Sequence, residues 1–257
     1  MRATESERAM TKRIALISCL GVCLSLVACN SGPSSSDTSS PAEREAAALE
    51  RKAEHIEGLL ARRPLAAQAL DALVLALPER AWLTEVIYDP SGIQIKGNAP
   101  TNNLLADYLA RLGESPSLAD VVLRGSSLKT VRGRERVEFL LQAAVRDAGA
   151  SSAPAGALPA RQEPSETLRE LQRLALESGL QMTKFVPGVE VSGEFTSELA
   201  ATIEVAGGLA DLRSYFRGLA DLSSLWIAER FSLKAVAADD PRSDVRASVA
   251  AKAYFSR

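Results

Sequence analysis

Ile93-Gln94-Ile95-Lys96-Gly97 and Ile203-Glu204-Val205-Ala206-Gly207 describe the same local object in two distant parts of one chain. In each, aliphatic residues alternate with polar or small ones, the period of a half-buried strand, and a glycine follows. Eleven residues past Gly97 comes Tyr108-Leu-Ala-Arg-Leu112, and eight past Gly207 comes Tyr215-Phe-Arg-Gly-Leu219. Both read as the apolar stripe of an amphipathic helix. A short Ser-containing turn then leads into a further strand, through Ser115-Pro-Ser-Leu118 in the first passage and Leu222-Ser-Ser-Leu225 in the second. The chain therefore makes one small α/β unit twice.

Working outward from Gly97, a helix with Leu65, Leu70, Leu73, Val74 and Leu77 on one stripe stops at Pro78. Ala81 to Tyr88 is rich in β-formers, and Asp89-Pro-Ser-Gly92 fits a type I turn into the Ile93 strand. Thr101 can cap a helix carrying Leu104, Leu105, Tyr108, Leu109 and Leu112, with Gly113 at its end. Leu118 to Leu123 and the alternating Val137, Phe139, Leu141, Ala143 and Val145 complete the unit as strands.

The order restarts after Asp147 to Glu163, whose Ala, Ser, Gly and Pro mark a linker. Ser165 to Ser178 is a helix closed by Gly179, and Leu180 to Val186 and Leu199 to Val205 are strands separated by a turn signal at Val186-Pro-Gly-Val189. A helix with Leu209, Leu212, Tyr215, Phe216 and Leu219 follows. Strands Leu225 to Val236 and Val245 to Phe255 close the chain around an Asp239-Asp-Pro-Arg-Ser243 turn. The expected class is α+β: two tandem, circularly permuted ferredoxin-like domains, each αββαββ with a four-stranded sheet and two helices on one face, over residues 65–147 and 164–257, joined by 148–163.

Residues 1–64 read as an address and a tether. Lys12 and Arg13 precede an apolar run from Ile14 to Cys29, which is short for a bilayer-spanning helix of about 20 residues. Leu26-Val27-Ala28-Cys29 resembles a bacterial lipobox, making Cys29 the expected lipid attachment site of a signal peptide spanning 1–29. A signal anchor is the other reading of the same run. In both, the charges ahead of it place the rest of the chain on the far side of the inner membrane. Asn30 to Ser40 is a Ser-rich tether. Ala42 to Arg62 is a charged helix that fits either a solvated spacer or a coiled coil, within a tether region of 30–64.

Chemistry is sparse. With 30 basic and 32 acidic residues the chain has no basic excess to hold nucleic acid. The three cysteines, Cys19, Cys23 and Cys29, all precede the folded part, and the lone histidine is His55, so neither a disulfide, a zinc site nor a serine triad is expected. Asp239 and Asp240 are adjacent acids in a turn, where Asp commonly bonds its own backbone. Gly207-Gly208 opens a helix without the lysine or glycine spacing of a phosphate loop. Lys129, Arg132, Arg134 and Arg136 form a basic hairpin that serves either solubility or contact with an anionic partner. Trp82 and Trp226, each at a strand start, are expected in the core. No catalytic residue, cofactor or metal site is expected.

Two resemblances follow from these motifs. Leu77-Pro78-x-x-Ala81-Trp82-Leu83, Ile93-x-Ile95-x-Gly97 and Tyr108-x-x-x-Leu112-x-x-Ser115-Pro116 make the first half similar to the periplasmic part of the PilN family of type IV pilus assembly proteins. Ser178-Gly179-Leu180, Phe185-x-Pro187-Gly188, Ile203-x-Val205-x-Gly207, Phe216-x-x-Leu219-Ala220 and Tyr254 make the second resemble the PilO family. The resemblance implies a non-enzymatic, membrane-anchored scaffold facing the periplasm in a pilus or type II secretion-like alignment complex. Its implied partners are PilN-, PilO- and PilP-like subunits and the secretin. The Asn-Leu-Leu-Pro-type motif with which PilN-like proteins meet an actin-like partner does not occur between Met1 and Arg13. A lipoprotein binding a small ligand in a crevice between its two domains is the alternative.

Overall fold

The computed structural model describes residues 40–131, 133–146, 158–160, 163–240 and 242–256. Ser40 opens the first helix with a capping box: its Oγ accepts from the Glu43 amide (3.2 Å) and Glu43 Oε2 accepts from the Ser40 amide (2.7 Å). This α1 runs Pro41–Arg62 and is separated by Pro64 from α2, Leu65–Ala76. The strands β1 (Trp82–Asp89) and β2 (Gly92–Ala99) form a hairpin. Thr101 Oγ1 then accepts from the Leu104 amide (3.3 Å) and starts α3, Asn102–Gly113. β3 (Leu118–Val131) and β4 (Arg134–Val145) complete the first half. The second repeats the order with α4 (Pro164–Glu177), β5 (Gln181–Ser192), β6 (Thr196–Gly207), α5 (Leu209–Asp221), β7 (Leu225–Ala235) and β8 (Val245–Ser256). Past the end of α4, Gly179 takes φ +81°, the left-handed conformation that ends many helices.

All eight strands belong to one antiparallel sheet, in the order β3-β4-β2-β1-β7-β8-β6-β5. The sequence reading places each half in a sheet of its own. The structure differs because β1 and β7 pair, with Glu85 facing Lys234, Val86 facing Leu233, Ile87 facing Ser232 and Tyr88 facing Phe231. The order of strands within each half gives no sign of which edges will meet.

A single apolar core runs along the face covered by α2, α3, α4 and α5. It includes Leu70, Leu73, Tyr108 and Phe139 from the first half and Leu171, Tyr215, Phe216 and Val249 from the second. Tyr88 and Phe231 stack across the join with ring centroids 4.9 Å apart. Removing each such side chain from water is worth roughly 1.5–3 kcal/mol. β8 alternates as its sequence requires, with Val245, Ala247, Val249, Ala251, Ala253 and Phe255 buried. In β7 a bulge between Ala228 and Arg230 shifts the alternation, so that Trp226 and Ala228 before it and Phe231 and Leu233 after it all face this core.

Two further expectations change. Val186-Pro187-Gly188-Val189 is not a turn: β5 runs through it, with a register shift between Pro187 and Glu190. A proline without an N–H is tolerated there because β5 is an edge strand. Nor is α1 wholly a solvated spacer. Its last turns lie on the opposite face of the sheet, where Leu59 is buried with Leu225, Ile227 and Tyr254. Its first half stays in solvent, with Leu49 exposed.

Candidate interaction surfaces

The residues singled out for chemistry are placed apart. Cys19, Cys23 and Cys29 lie outside the described residues, as does Arg132. His55 sits on α1, where Nε2 meets Thr196 Oγ1 at 3.3 Å and the ring tilts against Phe195. Asp240 Oδ1 accepts from the Arg242 amide (2.9 Å), a local turn bond. Gly208 precedes α5, its amide donating to Asp211 Oδ2 (3.3 Å). Among the described residues no group of His, Cys, Asp and Glu is arranged to hold a metal ion. No described helix is long and apolar enough to cross a membrane.

Of the basic hairpin, Lys129 and Arg134 stay exposed, while Arg136 packs against the body of the protein. Lys129 pairs with Glu138 at 2.5 Å. The Arg136 guanidinium lies 4.8 Å over the Trp82 ring and donates to the Asp239 carbonyl (3.1 Å). Trp82 Nε1 donates to the Ala238 carbonyl (2.9 Å). Trp82 and Trp226 are both buried, as their positions at strand starts suggest. The first-half tryptophan thus also ties β1 to the turn between β7 and β8.

Those contacts belong to a larger junction. Asp71 on α2 receives Arg213 at 2.7 Å and Arg217 at 2.6 Å, both from α5. Glu85 on β1 accepts from Lys96 on β2 (2.6 Å) and pairs with Lys234 on β7 (3.3 Å). The Lys96 hydrogen bond holds the Glu85 carboxyl below its ordinary pKa, against a smaller opposing effect of burial. Arg63, whose pKa burial lowers, donates to the Leu222 carbonyl ahead of β7. The cavity at this junction, bordered by Leu83, Val86, Leu209, Leu233 and Val245, measures about 10 Å³. That is room for about one water molecule at this point of the join.

A second surface lies beside α1. A groove of about 530 Å³ is lined by His55, Arg62, Glu198, Glu229, Lys252 and Tyr254, among others. Lys252 pairs with Glu198 (3.3 Å) and Glu229 (3.7 Å), and Arg62 Nη2 donates to the Tyr254 hydroxyl (3.4 Å). Burial, aided by Glu229, raises the Tyr254 pKa. These charges are largely matched within the groove.

The third surface is the pair of outer sheet edges, β3 and β5. Val122, Leu123 and Leu128 are exposed on β3, and Val186, Val189 and Val191 on β5. Asp120, in a bulge of β3, takes a positive φ of 50°. The sequence suggests strands that stop at Leu123 and Val186, whereas β3 and β5 run on to Val131 and Ser192, and it gives no sign that they end the sheet.

Two like halves fused through a filled junction, with exposed edges and no assembled catalytic group among the described residues, define a class by its surfaces. Comparison with known families makes the class specific. The family Fimbrial assembly protein (PilN) matches residues 68–145, and the family Type IVa pilus alignment subcomplex PilO C-terminal domain matches residues 163–256. The chain carries a PilN domain followed by a PilO C-terminal domain in one polypeptide. It is 36% identical over 99 residues to the type IV pilus inner membrane component PilO of Pseudomonas aeruginosa, which covers 37% of this chain and 47% of that protein. The chain therefore spans about half the length of that relative. Among solved structures, the type 4 fimbrial biogenesis protein PilO of the same organism is 33% identical, over 38% of this chain and 75% of that one, with a TM-score of 0.33. The core region of PilO from its type IV pilus system is 32% identical, over 35% and 91%, with a TM-score of 0.32.

Proposed function

We propose that this chain is a non-enzymatic scaffold of a type IV pilus, or related type II secretion-like, alignment complex, standing on the periplasmic side of the inner membrane. The observation that carries the reading is the junction between a PilN domain and a PilO domain, closed by β1–β7 pairing and by Asp71 between Arg213 and Arg217. Association of the two kinds of domain is thereby built into one polypeptide. Each half is a circularly permuted ferredoxin-like unit, over 65–147 and 164–257. The order in which each contributes its strands (third, fourth, second, first) supports this. Cys29, or the apolar run that it ends, fastens the chain to the membrane. The remaining surfaces serve PilN-, PilO- and PilP-like subunits and the secretin.

Gene deletion with a count of surface pili, together with capture of the tagged full-length chain from cross-linked envelopes, tests the scaffold. Loss of pili or of secretion and recovery of alignment subunits are expected. Normal piliation and secretion with no such subunit recovered would sink the proposal. For the anchor, Cys29→Ala is expected to remove the lipid mass from the mature chain, and an unchanged mass would rule the lipid out.

A further inference from the structure

At the junction, β1 and β7 bury one another's core-facing side chains: Val86, Tyr88, Phe231 and Leu233 are each no more than 4% exposed. The sheet order makes these two strands the inner ends of like halves and leaves β3 and β5 as the outer ends. Aligning Gly97 with Gly207 sets Ile95 on Val205, so their partners Val86 and Met182 correspond, as do Ile87 and Lys184. The other neighbours of the same strands set Leu123 on Leu233 and Val122 on Ser232. Thus β5 is to the second half what β1 is to the first, and β3 is to the first what β7 is to the second. The corresponding side chains lack the burial: Leu123, the counterpart of Leu233, is 40% exposed, and Met182 and Phe185, the counterparts of Val86 and Tyr88, are only partly covered.

We infer that β5 of one chain pairs antiparallel with β3 of a second copy, repeating between chains the junction that β1 and β7 make within one. The inference rests on reading the two halves as equivalent units. Its register is fixed by the internal pairing: Met182 faces Leu123 as Val86 faces Leu233, and Lys184 faces Val122 as Ile87 faces Ser232. A second copy is the occupant because it presents the complementary edge in the register already realised once. The two edges of one molecule cannot meet, since eight strands at about 4.8 Å spacing hold them more than about 30 Å apart. On α3, Ala106 and Ala110 stand where α5 has Arg213 and Arg217, so the contact between chains lacks the ion pairs that lock the internal one. It is main-chain and apolar, and more readily reversed. Because the two surfaces differ, the contact is head-to-tail and generates a ring or an open row rather than a closed pair.

Cysteine cross-linking of the full-length chain in membranes tests this without reference to pili, so its outcome is separable from that of the scaffold proposal. Val122→Cys and Lys184→Cys are placed singly and together, with the unsubstituted chain giving the background of its own cysteines. Ile87→Cys with Ser232→Cys, expected to link within one chain, reports that the fold survives. The expected result is a ladder of oligomers from the double variant and a dimer when the two single variants are co-expressed, with neither single variant linking alone above background. Links between two Val122→Cys chains or two Lys184→Cys chains would mean a different, symmetric contact and overturn the inference. So would a monomer under all conditions with the internal control intact, the result expected if residues 1–39 or 147–157 of the same chain cover these edges.

Discussion

Tyr108 and Tyr215 stand at the same place in the two units and are both buried, but their hydroxyls differ. That of Tyr108 donates to the Leu73 carbonyl (3.4 Å), whereas that of Tyr215 has no partner among the described residues. Burial drives both pKa values upward, so both stay neutral at any physiological pH. A buried hydroxyl with a partner adds about 1 kcal/mol, and one without a partner subtracts from stability. Tyr108→Phe is therefore expected to destabilise by about 1 kcal/mol, and Tyr215→Phe to be neutral or stabilising, as read by denaturant titration. Gly97 makes a second contrast. A Cβ there would lie 2.5 Å from Phe139 Cζ and 2.6 Å from the Trp82 carbonyl oxygen. Gly97→Ala should cost on the order of 1–3 kcal/mol by overpacking, measured in the same way. The sequence marks Gly97 as recurrent, but its reason, a tryptophan backbone and a phenylalanine ring converging from two neighbouring strands, needs the sheet.

Among the elements, the helical stripes and the alternating strands were legible because each is set by a local period. β8 and the Thr101 cap are where the residues put them. What was not legible is whatever depends on a neighbour. β5 continues through Pro187 because nothing on its outer side asks for that N–H. Leu59 of α1 finds its partners, Leu225 and Tyr254, more than a hundred residues away. The β1–β7 pairing is of this kind too, and Glu85 gives it a measurable signature. Its folded pKa lies below the unfolded value of about 4.3, so its contribution is complete above that pH and is lost as pH falls below it. Glu85→Gln should lower stability at neutral pH, and the difference from the unsubstituted chain should shrink toward zero on acidification below about pH 4. Urea titrations at pH 7 and pH 3.5 would read it, and an unchanged difference would remove Glu85 from the account of the junction.

At the scale of the molecule, the core passes from one half to the other without a break, so a single thermal transition is expected in calorimetry. Phe231→Asp places a charge between Tyr88 and Phe216 and should divide that transition in two or lower its midpoint sharply. Two well-separated transitions in the unsubstituted chain would mean that the halves stand independently. The β1–β7 pairing also has a consequence for how the protein comes to exist. β1 ends at Asp89, and the strand that covers it begins only at Leu225. A chain delivered from its N-terminus therefore carries β1 without its β7 neighbour until most of the second half has arrived. In that interval a β7 strand from a neighbouring chain is chemically indistinguishable from its own. What favours the correct choice is the covalent link between the halves, which keeps the chain's own strand at a high effective concentration. Lengthening the segment between the halves would trade that advantage for exchange of halves between molecules.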